Sequence, residues 1–211
     1  MNQSPVVMLL DDDPGVRRSL SLALSLAGYE VEAYATAEDL LRGLDPAQPG
    51  CLVLDLRMPG MGGLEVQQAL SARGCSLPVI FMSAFGDIPT TVRALKAGAV
   101  DFLEKPFSTD SLVARIEEAI ETDRQQRAQA VLRQTILDRV KQLTGREMEV
   151  MRLVTAGLSN KDIARQLEIS PRTVEKYRAR VMEKMRADSI ADLCQMVATS
   201  SGSGNRAPIT E

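Results

Sequence analysis

Short apolar runs in the first half of this chain end in residues suited to phosphoryl chemistry, and that pattern restricts the fold more than any other feature. Val6–Leu10 runs into Asp11, Asp12 and Asp13, residues 52–54 end at Asp55, residues 79–82 end at Ser83, and Asp101–Glu104 leads to Lys105-Pro106. Runs of this kind closed by turn signals read as buried parallel strands. In open α/β sheets, sites form at the carboxyl ends of strands, where the winding order reverses. Residues just past the first, third, fourth and fifth strands are therefore expected to converge. Three carboxylates, a hydroxyl and an ammonium in one crevice make a metal-plus-phosphoryl site.

Helix-period segments lie between these runs, as a doubly wound sheet requires. Val16, Leu20, Ala23, Leu24 and Ala27 recur at helical spacing before Gly28, a C-terminal cap signal. Residues 29–34 predict a second strand, and residues 37–44 a helix capped by Thr36. Residues 63–71 predict a third helix, and Ile88, Val92, Leu95 and Ala99 form the buried stripe of a fourth. A fifth helical pattern starts near Thr109 and meets no Pro or Gly until Gly145. It reads as one long helix or a helix pair. Its stretch 121–129 is almost wholly polar, a solvated spacer in the plainer reading and a signalling coiled coil in the sharper one.

From Thr144 the pattern is all helical. Thr144 and Glu147 form a capping box, Asn160 caps a short helix, and Ser170-Pro171 is a strong helix start. Two helices joined by Glu168-Ile169-Ser170, the second of them basic, read as a helix-turn-helix. Val174, Val181 and Met185 fall on its core face, with Arg172, Glu175, Lys176, Ala179 and Glu183 opposite. Residues 200–211 read as a mobile tail.

Several function classes are excluded. With no histidine among 211 residues, histidine catalysis and most zinc sites are ruled out. Aromatic content of 3% argues against a surface that stacks single-stranded bases. Three cysteines without metal-type or redox spacing fit free thiols in a reducing cytosol. No run approaches the roughly 18 apolar residues of a membrane span and no signal peptide precedes Asp11, so a cytoplasmic protein is expected. Residues 1–120 hold nine basic against sixteen acidic side chains, and residues 121–211 hold sixteen against twelve. An acidic, cation-binding half and a basic half that meets polyanions follow from that split.

Crowding Asp11, Asp12 and Asp55 raises the cost of ionising all three unless a cation is bound. Hard oxygen ligands in a partly open site favour Mg²⁺. One carboxylate can then attack a phosphoryl group, with Lys105 and the Ser83 hydroxyl placed to hold its oxygens. Asp13, before Pro14, is a helix cap.

The segments VVMLLDDDPGVR, VLDLRMPGMGGLE, VIFMSAFGD and KAGAVDFLEKPF resemble the receiver domain of bacterial two-component response regulators, over about residues 4–123. The resemblance implies a flavodoxin-like five-stranded parallel sheet in the order 2-1-3-4-5. It makes Asp55 the phospho-acceptor, Asp12 the direct ligand of Mg²⁺, and Asp11 a ligand acting mainly through metal-bound water. Arg57 supplies a backbone carbonyl to the metal, Ser83 and Phe102 form a switch pair, and Lys105 contacts the phosphoryl group, with a cis peptide before Pro106. The donor is the histidine of a sensor histidine kinase, which must be another chain. Phosphorylation is expected to promote a homodimer through Arg93, Ala94, Ala97 and Asp101.

The run LTGREMEVMRLVTAGLSNKDIARQLEISPRTVEKYRARVMEKM resembles the LuxR/NarL-type helix-turn-helix, and the whole chain the FixJ branch of response-regulator transcription factors. This implies a receiver at residues 1–123, a helical linker at 124–142, and an all-α four-helix DNA-binding domain at 143–199. Base-edge positions correspond to Glu175, Lys176 and Ala179, within a DNA-facing set that includes Asn160, Lys161, Arg172 and Thr173. Arg178, Arg180 and Lys184 suit phosphates. Tyr177 stands where relatives usually carry histidine. The function implied is phosphorylation-dependent transcription regulation on double-stranded promoter DNA, with no membrane partner. No enzyme is expected beyond slow self-dephosphorylation: a phosphatase reading lacks a second acid two residues after Asp55, because Arg57 stands there, so no general acid serves turnover.

Overall fold

Strands β1 (Val6–Leu10), β2 (Glu30–Tyr34), β3 (Gly50–Asp55), β4 (Val79–Ser83) and β5 (Asp101–Glu104) pair in parallel in the order β2-β1-β3-β4-β5. The computed structural model describes residues 4–84 and 101–201 and divides the chain into units at 1–127 and 128–211. β1 and β4 are buried throughout, and β3 up to Asp55, because helices cover both faces of the sheet. Alternating side chains fill two cores. Val6, Met8, Leu10, Leu52, Leu54 and Phe81 pack with helices α2 (Ala37–Gly43) and α3 (Gly63–Ala72). Val7, Leu9, Val53, Ile80 and Met82 pack with Leu24 of α1 (Pro14–Leu26) and with Leu112, Ile116 and Ala119 of α4 (Thr109–Lys141).

Local chemistry sets the boundaries. Asp13 caps α1 by accepting from the Gly15 and Val16 N–H groups, and Gly28 takes φ +94° just past its end. Thr36 caps α2, which stops at Gly43, one residue short of the expected end. The edge strand β2 starts at Glu30 and exposes Glu30, Glu32 and Ala33. The stripe Ile88, Val92, Leu95 and Ala99 lies outside the described residues.

α4 is a single helix, and its polar stretch is not simply a solvated spacer. Asp123 is buried, accepts the Gly50 N–H at 3.0 Å, and takes Arg127 Nε on both oxygens at 2.9 and 2.8 Å. The Arg127 guanidinium also donates to the carbonyls of Pro46, Ala47 and Gln48. A carboxylate out of water requires such partners, and here they tie α4 to the entry of β3. At Gly50, where φ is +150°, a Cβ would fall 1.9 Å from the Val6 carbonyl oxygen, so only glycine fits.

The C-terminal unit packs the end of α4 with α5 (Gly145–Thr155), α6 (Asn160–Leu167), α7 (Pro171–Met185) and α8 (Ile190–Ser201). Ile136, Val150, Val154, Ile163, Val174, Val181, Met185 and Leu193 form its core. The capping box at Thr144 and Glu147 is present, and Ser170 caps α7 ahead of Pro171. The cap of α6 is Ser159, not Asn160, which is the first helical residue. Glu168 ends α6 in the left-handed region at φ 55° and turns the chain into α7.

Glu147 is buried and accepts from Lys184 Nζ at 2.6 Å and the Thr144 N–H at 2.8 Å, joining the start of α5 to the end of α7. The Lys184 bond, then the backbone donor, pull its carboxyl from the ordinary 4.5 to about 2. A group lowered on folding adds stability above its unfolded value and loses it as pH falls through the folded value. Wild type is therefore expected to unfold at a higher temperature than Glu147→Gln at neutral pH, and the two to converge between about pH 4.5 and about 2. Thermal unfolding of both proteins across that range checks this; a pH-independent difference contradicts it.

Candidate functional site

Parallel register brings the strand ends level. Leu10 pairs with Leu54, so Asp11 leaves β1 beside Asp55 at the end of β3. Asp55 pairs with Met82, and Ser83 pairs with Glu104, the residue before Lys105. The backbone continues that alignment past the strands: Leu56 N–H donates to Met82 O at 2.9 Å, and Lys105 N–H to Ser83 O at 2.7 Å. The Lys105-Pro106 peptide is cis.

Lys105 Nζ donates to Asp55 Oδ2 at 2.8 Å and to Asp11 Oδ2 at 2.9 Å. The other oxygens accept backbone N–H groups, Asp55 Oδ1 from Arg57 and Asp11 Oδ1 from Asp13. Burial pushes the Asp11 carboxyl above its ordinary value, although Lys105 and the Asp13 amide pull it down. Burial alone would lower Lys105, but its bonds to Asp55 and Asp11 hold it above the usual lysine value. Carboxylate oxygens of Asp11, Asp12 and Asp55 lie within 4.8 Å of one another. Three acids facing one ammonium, with hard oxygen donors only, suit a small divalent cation such as Mg²⁺. Ser83 is buried and Phe102 packs against the core on the α3 side. Thus the structure gathers Asp11, Asp12, Asp55, Ser83 and Lys105 at one edge of the sheet, with Arg57 opening the adjoining turn.

The expected dimer residues divide. Arg93, Ala94 and Ala97 lie outside the described residues. Asp101 is engaged within the chain, its Oδ2 paired with Arg115 Nε at 2.8 Å and its Oδ1 accepting the Phe102 N–H.

In the second unit, Lys161, Arg172, Glu175, Lys176, Ala179 and Arg180 are exposed, the last five along the outer side of α7. Thr173 is half-buried at the helix cap, sharing a hydrogen bond with Ser170 Oγ. Arg178 donates to Asn160 Oδ1, which ties α7 to the first turn of α6. Lys184, expected to meet phosphate, is instead paired with buried Glu147 and donates to Gln142 O at 3.1 Å. Tyr177 packs against the helical core.

Sequence reasoning missed Gly63. A Cβ there would lie 2.6 Å from Asp55 O and 2.9 Å from a Phe81 ring carbon. α3 thus starts directly against the backbone of Asp55, and the only signal was two adjacent glycines ahead of a helix. Arg17, which donates to carbonyls of the acidic loop, was also missed.

Residues 7–117 match the family described as response regulator receiver domain, and residues 141–197 the bacterial regulatory proteins of the luxR family. The chain is similar to the transcriptional regulatory protein FixJ of Bradyrhizobium diazoefficiens, 44% identical over 90% of this chain and 93% of the relative. It is 40% identical to the response regulator protein TodT of Pseudomonas putida, over 92% of this chain and 86% of the relative. Among solved structures it is similar to the response regulator StyR, with TM-score 0.79 and 42% identity over 92% of this chain and 98% of that one. Full-length FixJ from B. japonicum gives a TM-score of 0.57 and 41% identity, over 96% of this chain and 100% of that one.

Gly63→Ala is expected to destabilise the N-terminal unit by about 1–3 kcal/mol, the usual cost of overpacking a filled site. Gly145, where a Cβ meets nothing within 4 Å, is the control, and Gly145→Ala should leave stability nearly unchanged. Urea unfolding of both variants measures the contrast.

Proposed function

The chain belongs to the two-component response regulators of the FixJ type, transcriptional regulators that join a receiver to a LuxR-family DNA-binding domain, and from that premise we propose that Asp55 is its phosphoryl acceptor and α7 its DNA reader. The observation that carries the first assignment is Lys105 Nζ bridging Asp55 and Asp11 beside Asp12. An Asp55 carboxylate oxygen attacks the phosphorus of a phosphohistidine on a sensor kinase. The P–N bond breaks, the imidazole departs, and an acyl phosphate is left on Asp55. Asp11, Asp12, Asp55 and the Arg57 carbonyl would hold Mg²⁺, which when bound would supply positive charge beside the reacting oxygens. Lys105 then shifts from the carboxylate to a phosphoryl oxygen. The Ser83 hydroxyl takes another, and Phe102 follows as the second half of the switch. Arg57, two residues beyond the acceptor, provides no acid for turnover, so the adduct lasts as a signal. Phosphorylation favours a homodimer, which presents two copies of α7 to promoter DNA.

Intact mass after incubation with a low-molecular-weight phosphodonor tests the acceptor. Wild type should gain one Mg²⁺-dependent phosphoryl adduct and sediment as a dimer, and Asp55→Asn should show neither. An undiminished adduct on Asp55→Asn moves the acceptor elsewhere.

On α7, outward-facing Lys176 donates to guanine and Glu175 accepts from cytosine, while Ala179 lets the helix approach the groove. Arg172 and Arg180, with Lys161 on α6, hold phosphates, which set register without reading sequence. Arg178, oriented by Asn160, serves both the turn and the backbone contact, and Lys184 we assign to the fold. Lys176→Ala is expected to relax base preference at one position of each half-site, at about 1–3 kcal/mol. Arg180→Ala should weaken selected and scrambled duplexes alike and reduce the salt slope by roughly one unit. Binding series over salt with both duplexes separate the two roles, and an interchange of these effects overturns the assignment of faces.

A further inference from the structure

Asp11 and Asp12 are consecutive, yet both place carboxylate oxygens within 4.8 Å of Asp55's. In an extended strand, neighbouring side chains point to opposite faces and neighbouring carbonyls alternate in direction. The chain must therefore bend sharply as it leaves β1. Arg17, in the first turns of α1, marks how the bend is held: its Nη1 donates to Asp11 O at 2.8 Å and to Asp12 O at 3.0 Å. Two successive carbonyls converging on one nitrogen are incompatible with continued strand. The Asp13 N–H closing on Asp11 Oδ1 at 2.9 Å, and Asp13 capping α1, complete the turn. Arg17 is half-buried and its own backbone N–H is bonded to Asp13 O, so the guanidinium reaches the loop from a fixed base.

We propose that Arg17 is the positioning residue of the metal and phosphoryl site, setting the backbone turn that directs the Asp11 and Asp12 carboxylates toward Asp55; the proposal rests on the reading of that acidic trio given above. Arg17 touches neither the acid oxygens nor the transferring group and acts through the two peptide carbonyls. A guanidinium suits this role because its donors have fixed directions, whereas a lysine ammonium is a flexible, strongly hydrated point charge. Arg18, next in the chain, is exposed and removes the same charge when replaced, which separates placement from electrostatics.

Mg²⁺ titration of the full chain by calorimetry, without phosphodonor, is the test, with thermal unfolding run on every variant. Arg17→Gln should lose about tenfold or more in Mg²⁺ affinity, the range found when groups supporting metal ligands are removed. Arg18→Gln should stay close to wild type, and Arg17→Lys should lie between. Phosphoryl labelling of Arg17→Gln should recover at saturating Mg²⁺, which separates placement of ligands from participation in the chemistry. Unchanged affinity in Arg17→Gln, or equal losses in Arg17→Gln and Arg18→Gln, overturns the proposal. If Arg17→Gln does not fold, Arg17→Lys decides, wild-type affinity there overturning it. A wild type whose Mg²⁺ affinity is untouched by Asp12→Ala refutes the acidic trio itself rather than Arg17.

Discussion

An ammonium shared between two carboxylates organises the functional edge of the N-terminal unit. Lys105 lies 94 residues from Asp11 and 50 from Asp55, and its Nζ stands within 3 Å of an oxygen on each. These groups meet because β1, β3, β4 and β5 run parallel in register, so that four strand ends open onto one line. Crowded acids repel, and burial already pushes Asp11 upward. The lysine offsets part of that cost while leaving more negative than positive charge at the edge. A cluster balanced in this way keeps a net negative charge and suits a small divalent cation.

Among the described residues, the same solution to buried charge recurs at two places away from this edge. Asp123 combines Arg127 with the Gly50 amide, and Glu147 combines Lys184 with the Thr144 amide. Each buried carboxylate thus takes one base and one backbone donor, the combination that lets an ion pair survive out of water. The first anchors α4 to the entry of β3, whose far end carries Asp55. The second anchors α7 to α5. The basic residues of α7 accordingly fall into two groups. Lys184 and Arg178 bond within the unit, while Arg172, Lys176 and Arg180 face outward.

Much of this was legible beforehand, for reasons that are local. Apolar runs closed by Asp11, Asp55, Ser83 and Lys105 announced the strands and the sheet edge, because a strand buried on both faces must be continuously apolar and a site lies past its end. Asp13, Thr36, Thr144 and Ser170 announced helix starts, because each satisfies amides within three residues of itself. The stripe Val174, Val181 and Met185 announced the buried side of α7 and, by subtraction, the outward one.

Other features depended on partners distant in sequence. Nothing near Lys184 in the chain distinguishes it from Arg180, yet a buried acid 37 residues earlier claims it. Residues 121–129 read as almost wholly polar, and only the folded backbone at residues 46–50 separates Asp123 and Arg127 from their solvated neighbours. Arg17 looks like any surface arginine on α1 until the loop before it bends its carbonyls toward the guanidinium. Periodicity and capping are properties of a few adjacent residues, so the sequence alone determined the elements, the sheet edge and the acids upon it. Which charged groups pair, and which therefore stay available to a metal or to DNA, depends on distances across the fold, and only the tertiary structure decided that.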